Sequence, residues 1–293
     1  MRKYIIGIDI GGTTYSSALF DDDYNIIKSS RKENVAELNS TKHFLNNISM
    51  QIDELSDKNN KGNITAIGVS CPGPLSAKEG IIYDTPNLKL LQNFHLKREL
   101  EMKCKLPAYI NNDANLFALG EWFKAGANPR EILGAVTLGT GLGFGIVING
   151  QIYDGAHGMA AEYAISPVNS GNWENLVSIK AIQLIAIKNG LADTSPLDIY
   201  NLALDGNIKA LSIWKEFGVN VGMALSHFIN MIDPDKISIG GGISGAFSFF
   251  KDSMLDVVHK YSPVTTRYAI DIFESKDKEK SAQLGAAIFS RDC

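Results

Sequence analysis

Residues 9–14 read DIGGTT, and residues 138–143 read LGTGLG, a second glycine-rich turn of the same design. Each turn follows an apolar segment, residues 3–10 and residues 132–138, with the length and composition of a buried strand. Further strand-like segments joined by tight turns come next in both places, which predicts an antiparallel meander in each half. The sequence therefore predicts an internally duplicated chain of α/β class.

The length of the chain supports the same division. At 293 residues it exceeds the size at which one hydrophobic core usually keeps growing, so two domains with a cleft between them are expected. We expect residues 1–111 to form the first α/β domain and residues 112–280 the second. A final helix at residues 281–293 is expected to pack back on the first domain.

Composition excludes several classes of partner. A hydrophobic content of 45% and a formal net charge of −4 give no sign of a nucleic-acid or anionic-membrane surface. The three cysteines, Cys71, Cys104 and Cys293, lack the paired spacings of zinc sites or disulfide frameworks, which favours a reducing cytoplasm. No apolar run reaches 18 residues and no signal peptide is evident, so we expect a cytosolic protein.

The DIGGTT turn has the chemistry of an anion site. It places the Asp9 carboxylate at a strand end, beside glycines whose backbone N–H groups can approach phosphates and a hydroxyl that can add a bond. Alone, such a turn is more often a simple hairpin, by about two to one. Its recurrence at residues 138–143 favours the anion site, because a merely flexible hairpin leaves Thr140 unexplained. Two such turns facing each other would clamp a polyphosphate.

A third glycine-rich segment, residues 240–242, follows a predicted strand and precedes a predicted helix. Three glycines remove side chains where a flat base or a ribose must approach the backbone and a helix N-terminus. The pattern G-x-x-x-x-G-K-[ST] does not occur in the chain, so a P-loop nucleotide site is not expected.

Residues 111–115 read NNDAN and open a predicted helix. Asn112 or Asp113 as a simple N-cap explains this run about as well as a function does. The functional interpretation is that a carboxylate accepts the proton of a hydroxyl as a phosphoryl group arrives, while the flanking amide fixes the acceptor. The CPGP loop at residues 71–74 is by default a rigid turn that can also present backbone amides to a ligand.

Taken in order, these segments resemble the ROK family of sugar kinases and repressors. The matching segments span nearly the whole chain and are residues 9–13, 72–74, 112–115, 137–143, 161–162 and 239–242. The resemblance implies an actin-like (ribonuclease H-like ATPase) fold with two similar α/β domains around a cleft. It also implies phosphorylation of the 6-hydroxyl of a hexose or an N-acylhexosamine by ATP with magnesium.

The resemblance carries roles onto individual residues. It makes Asp113 the catalytic base, and it places the nucleotide and its magnesium at Asp9, Gly11, Gly12, Thr13, Thr140, Gly141 and Gly241. The sugar contacts that it implies are Gly73, Asn87, Asn112, Glu162 and Glu174. The two glutamates carry no signal of their own and would otherwise be taken for surface charges.

One departure from the family pattern bears on metal content. Most members carry a histidine and a C-x-C-G-x-x-G-C-x-E run that bind structural zinc, but this chain has Ile165 and the residues 170–175, SGNWEN, in those places. Structural zinc is therefore expected to be absent, because His157 alone cannot supply about four ligands. His157 is interpreted as a loop residue or at most a sugar contact.

The same departure bears on the sugar. A short chain without the zinc run resembles the N-acetylmannosamine kinases of certain bacteria that catabolise sialic acid. N-acetylmannosamine is therefore the first choice of substrate and glucose the second. Loss of the histidine removes a donor near the 1- and 2-positions of the sugar, which leaves the choice open.

Two other functions agree less well with the sequence. A ROK-type repressor needs a helix-turn-helix domain before the first sheet and a basic stripe, and neither is expected here. A sugar sensor that has lost catalysis would be expected to lack Asp113 or Thr140, and both are present. The expectation is thus a kinase with small-molecule partners and no nucleic-acid or membrane partner. The family often forms homodimers, and the sequence leaves the oligomeric state of this chain open.

Overall fold

The computed structural model describes residues 2–56, 61–86, 88–126, 128–169 and 171–292. The chain divides into two compact units. The first contains Met1–Ala127, Asp154–Gly158 and Asp277–Cys293, and the second contains Asn128–Tyr153 and Met159–Lys276.

The first unit is built on a sheet whose central strands are buried. Its strands are β1 (Tyr4–Ile10), β2 (Thr14–Asp21), β3 (Ile26–Ser29), β4 (Glu33–Asn34), β5 (Ile64–Cys71), β6 (Leu75–Ser76), β7 (Ile81–Ile82) and β8 (Ala108–Asn112). The main order is β3-β2-β1-β5-β8, with β4 paired to β2 and a separate β6–β7 hairpin. Strands β1, β2 and β3 are antiparallel neighbours, whereas β1, β5 and β8 run parallel.

Three helices follow from apolar periodicity and capping in this part of the chain. They are α1 (Thr41–Leu55), α2 (Leu96–Cys104) and α3 (Asp113–Lys124). Helix α1 begins after Ser40, whose hydroxyl accepts the His43 N–H at 3.1 Å. Its apolar residues recur at helical spacing and enter the core of the unit, as Phe44 and Ile48 do.

The second unit repeats this sheet. Its strands are β9 (Leu133–Leu138), β10 (Leu142–Ile148), β11 (Gln151–Ile152), β12 (Pro167–Val168), β13 (Gly171–Asn172), β14 (Lys236–Gly240) and β15 (Asp271–Glu274). The order is β11-β10-β9-β14-β15, again an antiparallel meander joined to parallel strands, with β12–β13 as a separate pair. The predicted duplication of an α/β unit is confirmed.

The helices of the second unit are α4 (Trp173–Leu176), α5 (Ile179–Lys188), α6 (Pro196–Leu204), α7 (Ile208–Ile232) and α8 (Phe247–Tyr261). Residues 176–188 form one apolar-periodic run in the sequence, but the structure divides it, because Leu176 ends α4 and Ser178 caps α5. Helix α6 was not predicted, although Ser195 caps it and Pro196 occupies its first turn. None of the helices among the described residues is both long and apolar enough to cross a lipid bilayer.

The last helix, α9 (Lys278–Asp292), follows the second unit in sequence but packs on the first. A Cβ at Gly68 of β5 would collide with the backbone of α9, and a Cβ at Gly285 of α9 would collide with the backbone of α3. Glycine at both positions lets β5, α9 and α3 pack at backbone distance. Because this packing joins α3 to the first unit, the boundary lies after Ala127 and not after residue 111 as predicted.

Candidate active site

The carboxyl ends of three parallel strands place the first group of candidate residues. Asp9 of β1 pairs in register with Ser70 of β5, and Ser70 pairs with Asn111 of β8. The Ser70 hydroxyl donates a hydrogen bond of 2.8 Å to Oδ1 of Asp9. The turn after β1 closes when the Gly11 N–H donates to the Thr14 carbonyl oxygen at 2.8 Å. The DIGGTT turn therefore lies at the carboxyl edge of the sheet, where α/β proteins bind ligands.

Asp113 is the first residue of α3 and follows directly from β8. Asn112 is the N-cap, and its Oδ1 accepts the Ala114 N–H at 2.9 Å, so the capping interpretation of the NNDAN run is confirmed for Asn112. Oδ1 of Asp113 accepts the same N–H at 2.9 Å. Asp113 as a residue is half-buried, so the start of α3 is not sealed from solvent.

The surroundings of Asp113 favour its neutral form. Burial raises the pKa of the carboxyl group above its ordinary value, and the hydrogen bond from the Ala114 N–H acts in the opposite direction. The neighbouring thiol of Cys71 has a raised pKa because of burial and because the Asp113 and Asp9 carboxylates lie near it. Because both carboxylates act on the pKa of one thiol at the end of β5, Asp9 and Asp113 lie at the same edge of the sheet.

The CPGP loop brings another predicted residue to this edge. A Cβ at Gly73 would lie 3.2 Å from Nδ2 of Asn112, so these two predicted sugar contacts are adjacent. The third one predicted in this unit, Asn87, lies outside the described residues.

Buried amides beneath α3 were not predicted to take part in the site. Asn111 and Asn115 are 2% and 4% exposed, and the Nδ2 groups of both donate to Oδ1 of Asp154, at 3.4 and 3.1 Å respectively. The side chain of Asn111 also accepts, through Oδ1, the Asn112 N–H at 2.7 Å. The only sequence signal for this network is the pair of asparagines in NNDAN, since Asp154 is remote in the chain.

The second unit places its candidates at the carboxyl ends of β9 and β14. Gly240 pairs in register with Thr137, and Gly241, with φ of +83°, lies so close to Leu138 that a Cβ there would collide with the Leu138 backbone. Within the LGTGLG turn, the Gly139 N–H donates to the Gly141 carbonyl oxygen at 3.0 Å. Thr140, Gly141 and Gly241 therefore belong to neighbouring turns on one edge of the second sheet.

Glu174 lies against the same turn. Its Oε2 accepts the Leu142 N–H at 3.2 Å, and a Cβ at Gly141 would lie 2.6 Å from that oxygen. Glu174 is the second residue of α4, where the helix N-terminus favours a negative charge. The absence of a side chain at Gly141 therefore leaves the space that the Glu174 carboxylate occupies.

Glu162 opens a 3₁₀ turn, Glu162–Ile165, that packs near α4. The ring of Tyr163 stacks on Trp173 with centroids 6.0 Å apart, and it meets Phe144 of β10 edge to face. Because Tyr163 follows Glu162 and Trp173 precedes Glu174, aromatic packing holds together the two segments that carry the glutamates.

The segment that replaces the cysteine run is held by hydrogen bonds and rings. Asn172 and Asn175 form a reciprocal capping box, with backbone-to-side-chain bonds of 3.1 and 3.0 Å. Trp173 also packs edge to face on His227, at 5.2 Å between centroids. Ile165 is 63% exposed, and His157 is an exposed loop residue.

The structure thus sorts the predicted residues into two groups, one in each unit. The first unit holds Asp9, Gly11, Gly12, Thr13, Gly73, Asn112 and Asp113, and the second holds Thr140, Gly141, Glu162, Glu174 and Gly241.

The order and spacing of these segments are matched by known proteins. The sequence model of the ROK family matches residues 5–292. The chain belongs to the ROK family. Among its relatives is a glucokinase of Halalkalibacterium halodurans, 31% identical over 277 residues, with 83% of this chain and 82% of the relative covered. A xylose repressor of Caldicellulosiruptor bescii is 28% identical over 246 residues, 76% of this chain and 61% of the repressor.

Solved structures of the family share the fold. A ROK family glucokinase from Streptomyces griseus, in complex with glucose and AMPPNP, superposes with a TM-score of 0.83. The match covers 99% of this chain and 100% of that chain at 24% identity. The predicted actin-like fold is confirmed.

Proposed function

We propose that this ROK protein is a sugar kinase that transfers the γ-phosphoryl group of ATP to the 6-hydroxyl of a hexose or an N-acylhexosamine. The observation that carries the proposal is the position of Asp113, a half-buried aspartate at the N-terminus of α3, beside Asn112 and Gly73. In this role Asp113 accepts the proton of the sugar hydroxyl as its oxygen bonds to phosphorus and the bond to ADP breaks.

The raised pKa of Asp113 suits a general base. A base is most effective when its pKa approaches the working pH, and burial moves the Asp113 pKa in that direction. The carboxyl group must be ionised to accept a proton, so the proposal predicts loss of activity on acidification.

Each sheet edge, taken by itself, offers groups that suit part of a nucleotide with magnesium. Mg²⁺ prefers oxygen ligands, and the edge of the first sheet offers the carboxylate of Asp9 and the hydroxyl of Thr13. The turns at Gly11–Gly12 and Thr140–Gly141 offer backbone N–H groups to phosphates, and Gly241 leaves its surroundings clear of a side chain. When bound with ATP, Mg²⁺ neutralises charge on the phosphoryl oxygens.

For the sugar, we propose N-acetylmannosamine ahead of glucose. Glu162 and Glu174 supply acceptors for ring hydroxyls, and the aromatic contact of Tyr163 with Trp173 keeps their segments together. Ile165, exposed at the end of the 3₁₀ turn, offers an apolar surface to the methyl of an N-acetyl group. Burying one methyl contributes only about 0.8 kcal/mol, a few-fold in affinity. Most of the discrimination must come from hydrogen bonds to the amide, which glucose would leave unpaired.

Glucose is the second candidate because a relative at 31% identity is a glucokinase. A coupled ADP-release assay over hexoses and N-acylhexosamines decides between the two sugars. We expect the highest kcat/KM with N-acetylmannosamine. If glucose gives the highest kcat/KM, the proposed sugar substrate is wrong and the proposed kinase activity stands. If no sugar gives ADP release, both proposals are wrong.

A further inference from the structure

Asp154 has no place in the function proposed above, yet it contacts the residues next to the proposed base. It follows β11 of the second unit, but the segment Asp154–Gly158 belongs to the first unit. A single oxygen of its carboxylate, Oδ1, receives the amide hydrogens of Asn115 at 3.1 Å and of Asn111 at 3.4 Å. A residue remote in sequence is therefore bonded to both ends of the NNDAN run.

These bonds fix the orientation of the Asn111 side chain. An amide presents donors on nitrogen and acceptors on oxygen, while an ionised carboxylate only accepts. With its Nδ2 toward Asp154, Asn111 keeps Oδ1 for the Asn112 N–H at 2.7 Å and for Nδ2 of Asn115 at 3.3 Å. A flipped amide would present donors to donors at both places.

The backbone of Asn112 connects the Asn111 side chain to the proposed base, Asp113. Asn112 caps α3 through the Ala114 N–H, the same N–H that Asp113 binds through its own carboxylate at 2.9 Å. The position of the Asp113 carboxylate thus depends on the Asn112 backbone, which in turn is bonded to Asn111.

The carboxyl group of Asp154 is held in surroundings that do not favour its charge. Burial raises its pKa, and the hydrogen bond from Asn111 acts against that rise. Throughout the part of the chain that the structure describes, no Lys or Arg forms an ion pair with Asp154, whose partners are the two neutral amides. A partly buried carboxylate without a cationic partner loses hydration and gains no ion-pair attraction. Its contribution to the free energy of folding therefore does not explain its presence, and a different role is indicated.

We propose that Asp154 is a positioning residue for the base: by fixing the amides of Asn111 and Asn115, it holds Asn112 and the first turn of α3 in the geometry that catalysis requires. The inference rests on the proposed kinase function. It predicts a defect in kcat that is larger than the change in sugar KM, because a misplacement of the base near 1 Å can cost about 10²-fold in rate.

The first experiment compares Asp154→Leu with Asp154→Asn. Leucine removes the acceptor, and we expect kcat to fall about 10²-fold with a much smaller change in sugar KM. Asparagine keeps an oxygen that can accept both amide hydrogen bonds, and we expect kcat within about threefold of wild type. Asp193→Leu, at an exposed loop aspartate between α5 and α6, is the matched control and should change neither constant. Equal losses in the Leu and Asn variants, or no loss in either, overturn the proposal.

A double variant separates positioning from simple stability. Asp154→Leu leaves the buried Nδ2 groups of Asn111 and Asn115 without this acceptor, so that variant should melt earlier than wild type. Asp154→Leu/Asn115→Leu removes the Asn115 donor together with the acceptor, which is expected to recover part of the lost melting temperature. If Asp154 positions the base, kcat stays low in the double variant, whereas recovery of both kcat and melting temperature overturns the proposal.

Hydrogen–deuterium exchange at residues 112–116 provides a readout that does not need activity. Asp154→Leu should speed exchange of these amides, and Asp154→Asn should leave it near the wild-type rate. If wild-type protein phosphorylates no sugar, the proposed kinase function fails, while the exchange comparison still tests whether Asp154 holds the start of α3. Unchanged exchange in Asp154→Leu overturns the positioning role even in an active kinase.

Discussion

The amide N–H of Leu142 donates a hydrogen bond of 3.2 Å to Oε2 of Glu174. Leu142 closes the LGTGLG turn, whereas Glu174 is a proposed sugar contact on a different element, so this bond couples a proposed nucleotide-binding turn to a proposed sugar-binding carboxylate. The space that the carboxylate occupies exists because residue 141 has no side chain.

Gly141→Ala tests this relationship. The added methyl would lie 2.6 Å from Oε2, and the carboxylate must move because it is the flexible partner. A hydrogen bond to a charged group contributes about 1.5–3 kcal/mol, so we expect sugar KM to rise at least about tenfold while the fold persists. Gly139→Ala, where a methyl has no heavy atom within 4 Å, is the control and should leave sugar KM unchanged. Equal sugar KM in the two variants would contradict the coupling.

Gly285→Ala tests the packing that ties α9 to α3. Alanine is favoured over glycine inside a helix by about 1 kcal/mol, but overpacking costs about 1–3 kcal/mol, and here the opposing atoms are α3 backbone that cannot rotate away. We therefore expect a net loss of up to about 2 kcal/mol in the free energy of unfolding, measured by urea denaturation. Gly62→Ala, with open space around it, should be nearly neutral. A stabilised Gly285→Ala variant would show that this packing is looser than described.

The sequence predicted the fold where local signals and tertiary packing agree. The bounds of α1 and α7 follow the apolar period and the caps at Ser40 and Asn207. The start of α5 does not follow from the apolar period, because residues 176–188 form one apolar-periodic run. The capping role of Ser178 becomes visible only in the structure, where its backbone is extended and its side chain accepts the Ala181 N–H. The domain boundary was missed because backbone packing between α3 and α9, distant in sequence, decides it.

For the candidate site, strand-end motifs were informative and isolated charges were not. Asp9 and Asp113 stand in runs whose composition signals a turn or a helix start. Glu162 and Glu174 are proposed through the family resemblance alone, because their neighbours in space come from aromatic packing. Asp154 has no local signal, since its partners lie about forty residues earlier in the chain.

The pH dependence of stability tests the environment of Asp113. Since its pKa is raised in the folded protein, ionisation of this carboxyl group opposes folding. That cost is present in full above the folded pKa and vanishes below the ordinary value of about 3.9. Asp113→Asn should thus be at least as stable as wild type at about pH 8, and any advantage should disappear at about pH 3.

The measurement is urea denaturation at both pH values, with Asp193→Asn as the control for loss of an exposed carboxylate. If Asp113→Asn is less stable than wild type at the higher pH but not at the lower, the pKa of Asp113 is lowered on folding and not raised.

Metal content tests the expectation about zinc. Hydrogen bonds of the Asn172–Asn175 box and packing of Trp173 on His227 hold the segment where most ROK proteins carry the cysteine run. We expect purified protein to contain negligible zinc and a zinc-selective chelator to leave its melting temperature unchanged, because a structural metal contributes directly to folding. Stoichiometric zinc that stabilises the protein would refute the expectation.

The most direct test of the account is the turnover of Asp113→Asn in a coupled ADP-release assay, with N-acetylmannosamine and glucose as acceptors. The amide retains an oxygen for the Ala114 N–H but cannot take the proton of the sugar hydroxyl. We predict that kcat falls about 10²–10⁴-fold while sugar KM stays near the wild-type value. Turnover close to wild type would contradict the assignment of Asp113 as the base.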